Sequence, residues 1–305
     1  MQQSNQKKAY GLALLAVMFW STMSSAFKIT LRYLSYDKLV FWSVLNGVII
    51  LFLVNIIRNK RWNKLDGAKK SLGYSALMGF FNPFLYYLVL MKAYELLEAQ
   101  VAGTLNYIWP VVLVILSVPL LGQKIKALSF GALFLSFFGI VLIVTQGKLT
   151  SLHFTNLTGV FLALASAFFW ALYWIVNLKD KRDALPKILL NNVFGLLYLL
   201  LFFALTDHDM DLPSAKGYLG SLYIGIFELS ITFVIWLKAL EYSSDTAKVS
   251  NLIYLSPFLG LFWIRQTVGE TIHWFTLVGL GFIVGGIILQ GLIGSGEGKN
   301  TKTVS

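Results

Sequence analysis

Blocks of about 20 apolar residues alternate with short polar stretches along the whole chain, and about 20 residues is what an α-helix needs to cross a hydrocarbon core. The blocks lie at about residues 9–31, 38–57, 72–94, 99–121, 128–145, 157–178, 187–205, 218–240, 247–265 and 274–293. Each is continuous rather than alternating with period two, which argues against an outer-membrane β-barrel. The pattern predicts an all-α membrane protein of ten transmembrane helices. The first block exceeds a signal-peptide apolar core and has no convincing cleavage site, so it reads as a retained span. The polar stretches are a tail at 1–8, a linker at 147–156 with Ser, Thr and His, and a tail at 294–305 of Gly, Ser, Thr and Lys whose composition predicts disorder.

Composition agrees. Hydrophobic residues make up 57% of the 305 and charged residues only 13%, against about 25% charged in a soluble domain. The net charge of +11 does not indicate nucleic-acid binding, because the Lys and Arg sit between apolar blocks, where they set orientation. An even number of spans puts both termini on one side. Taking that side as cytoplasm places about 18 Lys and Arg inside and about 7 outside. The most basic stretch, Arg58, Lys60, Arg61, Lys64, Lys69 and Lys70, then faces the cytoplasm, and the acidic loop with Asp207, Asp209 and Asp211 faces outward.

Few reaction classes survive. Cysteine is absent, so neither a disulfide framework nor a thiolate metal site can form. His153, His208 and His273 all fall in predicted connections, which argues against a histidine metal cluster. There is no phosphate-binding glycine loop and no HExxH pair. The serines of the first span have no mid-span His or Lys base to activate them. The chain is therefore predicted not to be an enzyme and to need no cofactor. Its expected partners are the lipid bilayer and a small-molecule substrate.

The apolar blocks are interrupted in matching places. Leu105-Asn106-Tyr107-Ile108-Trp109-Pro110 sits inside the fourth, and Ile253-Tyr254-Leu255-Ser256-Pro257 inside the ninth. Placing Pro110 on Pro257 puts Tyr107 on Tyr254 and Gly122 on Gly269. With one residue of slack, Lys92-Ala93-Tyr94-Glu95 falls on Lys238-Ala239-Leu240-Glu241, and Phe81-Asn82 on Phe227-Glu228. Phe19-Trp20-Ser21 falls on Phe169-Trp170-Ala171. Two halves, 9–146 and 157–293, are thus repeats of five spans each. An odd number of spans reverses the direction of entry, giving inverted repeats, and interrupted segments in corresponding positions point to the binding site.

Helix periodicity selects faces. Gly103, Asn106, Tyr107 and Pro110 share one face of the fourth span, matched by Ser250, Tyr254 and Pro257 in the ninth. Each proline frees a carbonyl one turn earlier that lipid cannot satisfy, so these faces look at protein or at a watery cavity. Trp109 points about 100° away from Pro110 and is assigned to packing. In the third span Gly79, Asn82, Pro83, Tyr86 and Leu90 share a face, and in the eighth Gly225, Glu228, Thr232 and Trp236 do. Glu228 is an acid well inside a span, where a charge costs about 2.5 kcal/mol or more unless it is protonated, paired or hydrated. It reads as a ligand for a substrate ammonium, as a proton carrier, or as a protonated group bonded to a neighbouring helix. Trp20 and Ser21 in the first span and Trp170 and Tyr173 in the sixth complete the candidate cavity. Trp20 and Trp170 lie too near mid-membrane for an interfacial aromatic belt. Ser24, Ser25 and Ser166 are assigned to close helix packing. Lys92 with Glu95 reads as a self-paired surface charge.

These features resemble the drug/metabolite transporter superfamily, of the EamA type. The resemblance rests on the two five-span halves, on Phe19-Trp20-Ser21, and on the glycine boxes Gly122-Gln123-Lys124 and Gly269-Glu270-Thr271. Within it, Trp20-Ser21-Thr22-Met23, Asn106-Tyr107-Ile108-Trp109-Pro110 and Ala167-Phe168-Phe169-Trp170-Ala171 are similar to the bacterial aromatic amino acid exporter branch. That resemblance implies a central cavity between the halves and alternating access. It also implies export across a bacterial inner membrane, proton-coupled or as a facilitator, of aromatic or other large neutral amino acids. Export of another small metabolite or of a cationic drug is the alternative.

Overall fold

A computed structural model describes residues 5–59, 72–122, 127–148, 156–180, 182–206, 210–244 and 246–295. Lys60 to Lys70 of the basic stretch, Gln123, Lys124, His153, His208, Asp207, Asp209 and most of the linker and the two tails lie outside the described residues. Among the described residues the chain is helical, with no strand. The segments are α1 (Gln6–Thr30), α2 (Tyr36–Asn59), α3 (Leu72–Leu96), α4 (Ala99–Leu121), α5 (Ala127–Val144), α6 (Leu157–Lys179), α7 (Ala184–Leu205), α8 (Ala215–Tyr242), α9 (246–268) and α10 (Trp274–Ser295).

Seven of them (α1 to α4 and α6 to α8) are long and apolar enough to cross a membrane. Shorter apolar stretches, Phe130–Val144 and Trp274–Gln290, form the body of α5 and α10. α9 is a series of short pieces, Thr246–Ser250, Asn251–Leu255, Ser256–Trp263 and Ile264–Val268. The interruption expected in the ninth block lies at Pro257, which breaks the helix ladder. α1 starts at Gln6, ahead of its apolar block, because the Asn5 side chain accepts from the Lys8 amide and caps it. The outer surface is apolar: Phe134, Phe161 and Leu205 are each more than 70% exposed. That surface suits lipid rather than water.

Packing follows a two-fold pattern. α1 packs on α8, and its counterpart α6 packs on α3. α4 packs on α6, and α9 on α1; α2 packs on α8, and α7 on α3. α5 packs on α10 and α2 on α7, each element on its own counterpart. An element that meets its own counterpart is the signature of a two-fold relation, not of a translation. Close approach relies on glycine. A Cβ on Gly225 would lie 2.7 Å from the Ser43 carbonyl oxygen on α2, and one on Gly79 would lie 2.5 Å from the Asn191 carbonyl oxygen on α7. These two crossings, α2–α8 and α7–α3, are counterparts, and small residues let the backbones meet there.

The connections sort into two ends. At one end the Asn5 amide donates to the Tyr242 carbonyl at 2.9 Å, and Arg182 grips Asp180 through Nη2 at 2.6 Å while reaching the Ser75 hydroxyl at 2.8 Å. Burial pushes the Asp180 carboxyl up, but the Arg182 donors outweigh it and hold the group below the usual carboxylate range. At the other end Lys38 pairs with Asp211 at 3.3 Å, and Arg32 donates to the Val268 carbonyl. Lys92 and Glu95 form the expected ion pair.

Candidate functional site: a cavity between the two halves

A cavity of about 1150 Å³ runs between the halves, walled by α1, α3, α4, α6, α8 and α9, with Ile287 and Gln290 of α10 added. The helices around it are broken at mid-depth. α4 stops at Asn106 and restarts at Trp109; α8 turns at 228–230, with Ser230 at φ −136° and ψ −81°. α3 carries a widened turn at Phe80–Leu85 in which Asn82 leaves helical geometry (φ −148°, ψ 119°), and α1 is interrupted at Thr22.

Breaks expose carbonyls, and hydroxyls answer them. In α8 the Ser230 hydroxyl donates to the Gly225 carbonyl at 2.7 Å, and Thr232 donates to the Phe227 carbonyl. In α9 Pro257 has no amide for the carbonyl four residues earlier, that of Ile253, and the Ser256 amide takes it instead. The Tyr107 hydroxyl of α4 donates to that oxygen at 2.6 Å, tying the two interrupted segments together across the halves.

Eleven of the thirteen candidate residues line the cavity: Trp20, Ser21, Tyr86, Asn106, Tyr107, Pro110, Trp170, Glu228, Trp236, Tyr254 and Pro257. Asn82 and Tyr173 do not. Asn82 is buried in the widened turn of α3, which rotates it off the face that carries Tyr86 and Leu90. Tyr173 is buried behind Trp170, its ring stacked at 5.4 Å. Along a helix the i+4 position stays within about 40° of residue i, whereas i+3 swings about 60° the other way. Trp174 therefore shares the cavity with Trp170, and Tyr173 does not. Trp109 is a correction as well: it lines the cavity and stacks on Trp174 at 6.3 Å and 18°. Trp109 and Pro110 stand in one helical piece, and the cavity covers a wide enough arc of it to take in both, with Leu113 and Val114 one turn further on.

Polar links run through the wall. Tyr86 donates to Asn106 Oδ1 at 3.2 Å, and Asn106 donates through Nδ2 to the Ser166 hydroxyl at 2.9 Å. Ser24 bonds the Tyr94 hydroxyl at 2.7 Å, so Ser24 and Ser166 do more than permit close packing. Tyr87 donates to Glu228 Oε1 at 2.8 Å. Nothing in the apolar pattern marks Tyr87, because its partner comes from the other half of the chain.

One end of the cavity is roofed by both halves. The Glu270 carboxylate accepts from the Ala99 amide at 2.8 Å and the Gln100 amide at 3.2 Å, capping α4. Gln100, almost fully buried, donates to the Thr271 carbonyl and to Glu98, and accepts from the His273 amide. The glycine box that ends α9 thus places Glu270 where α4 begins; Gly269 adopts φ +83° to turn the chain there. No cluster of His, Cys, Asp and Glu suited to a metal occurs among the described residues.

The comparisons agree with this architecture. An uncharacterized transporter of Clostridium kluyveri is 25% identical over 292 residues, covering 93% of each chain. One from Archaeoglobus fulgidus is 24% identical over 280 residues, covering 90% of this chain and 95% of its own. A solved crystal structure superposes with a TM-score of 0.61 at 18% identity, over 95% of this chain and 98% of that one, which shows the fold alone. Residues 7–145 and 157–292 each match the EamA-like transporter family. With two such repeats enclosing one cavity, this multi-pass membrane chain belongs to the EamA-like transporter family of the drug/metabolite transporter superfamily.

Proposed function

We propose that the protein exports amino acids, aromatic or other large neutral ones, across a bacterial inner membrane by alternating access. Ten crossings in two inverted repeats, with both termini cytoplasmic, frame the path. The reading is supported above all by the aromatic wall. Trp20, Trp109, Trp170, Trp174, Trp236, Tyr86 and Tyr254 surround a cavity at the interface of the halves. Tyr86 stacks on Trp170 at 4.7 Å and 30°, the offset geometry a substrate ring can extend. Glu228 gives the cavity a carboxyl for a substrate ammonium. Export is driven by a proton carried there, or is downhill facilitation.

The test is reconstitution of the full chain in liposomes loaded with a panel of labelled amino acids, with and without an imposed proton gradient. Phenylalanine, tyrosine, tryptophan and leucine are expected to leave faster than from equally loaded liposomes without the protein, while glycine and aspartate do not. No faster efflux for any member overturns the amino acid reading. Efflux of a different metabolite or cationic drug in the same system favours the alternative.

A further inference from the structure

We infer that the cavity recognises its ligand as an organic cation, through the ammonium and the ring, and has no counter-charge for a carboxylate. This deepens the proposed function and rests on the cavity being the transport site. Among the described residues lining the cavity, Glu228 is the only one with an ionisable carboxyl, and none is Lys, Arg or His. Glu228 sits at the break of α8, with Tyr87 donating to one of its oxygens, and it keeps accessible surface in the cavity. From it an aromatic ladder leads along the wall. Tyr87 meets Tyr86 ring to ring at 4.7 Å, Tyr86 stacks on Trp170, and Trp170 meets Trp174 at 6.0 Å and Trp109 at 6.4 Å. Aromatic faces attract cations and repel anions.

Several donors in the wall are committed elsewhere, and a donor that is left over, the unpartnered Trp174 indole N–H, is neutral and brings no charge. Tyr107 gives its proton to Ile253, Tyr86 to Asn106, and Asn106 bonds Ser166. Lys28, which bonds the cavity residue Tyr94, is not in the lining and points its ammonium at the Tyr94 and Leu97 carbonyls at the end of α3. An anion brought into such a wall loses hydration without a paired charge, which is costly. An ammonium finds both a carboxyl and π faces.

The experiment titrates the detergent-purified full chain with two ligands that share the ring, following the fluorescence of the cavity tryptophans. Phenethylamine keeps the ammonium and lacks the carboxylate; N-acetylphenylalanine keeps the carboxylate and masks the amine. Phenethylamine is expected to quench saturably, with an affinity no weaker than that of phenylalanine, and N-acetylphenylalanine to bind at least about tenfold more weakly. Glu228→Gln keeps an acceptor for Tyr87 and is expected to abolish the difference between the two. Equal binding of both ligands by the native chain overturns the inference without reliance on any variant. If amino acid efflux fails while this titration succeeds, the amino acid reading falls and the cation reading stands. If efflux succeeds while N-acetylphenylalanine binds as well as phenethylamine, the reverse holds.

Discussion

Tyr107 and Trp109 are two residues apart and do different work. The Tyr107 hydroxyl donates to the Ile253 carbonyl on α9, which Pro257 cannot serve. Tyr107→Phe keeps the ring but removes one of the two hydrogen bonds that oxygen accepts, the other coming from the Ser256 amide, an expected cost of about 0.5–1.5 kcal/mol, visible as a lower melting temperature in detergent. Trp109→Ala removes a ring from the cavity and from the stack on Trp174. It is expected to impair transport while leaving the protein monodisperse. Equal loss of thermal stability in the two variants would refute this division. The sequence made the face of Asn106, Tyr107 and Pro110 legible, since helical spacing and a proline sufficed. It misplaced Trp109 because the cavity covers a wider arc of α4 than one helix face, so a residue about 100° from Pro110 still reaches it. Tyr87 and Ser166 could not be assigned from periodicity, since their polar partners lie about 140 and 60 residues away.

At the scale of elements, the crossings at Gly79 and Gly225 set how closely α3 meets α7 and α8 meets α2. A side chain there meets backbone, which cannot swing aside. Gly225→Leu is expected to cost at least about 1–3 kcal/mol of overpacking and to show as aggregation on size exclusion, whereas Gly131→Leu, where open space surrounds the position, is tolerated. An unaffected Gly225→Leu elution profile would contradict the close crossing. Apolar blocks announced most of these helices, because lipid demands length and continuity. The proline marked the interruption of α9, but nothing announced the widened turn in α3 or the geometry of the separate pieces, which depends on which neighbour satisfies each released carbonyl.

For the whole molecule, the roof over the cavity is made from both halves at once. Glu270 caps α4, and Gln100 is held by Thr271 and His273. In the proposed cycle this seal must part for substrate to leave on that side. The chain has no cysteine, so Gln100→Cys with Thr271→Cys provides a pair free of background. A short bifunctional thiol reagent is expected to bridge the pair and stop efflux, and a reductant to restore it when the bridge is a disulfide-forming reagent. Full transport by the bridged protein would show that the roof stays closed throughout.

The repeat itself is imperfect at one telling place. Where the second half has Glu228, the first has Asn82, folded away from the cavity. A cavity enclosed by two equivalent halves would hold an elongated molecule equally well in either of two orientations, head for tail. A single acid on one side lifts that degeneracy. A polar-headed ligand then has one pose, and its tail always trails toward the same half of the protein.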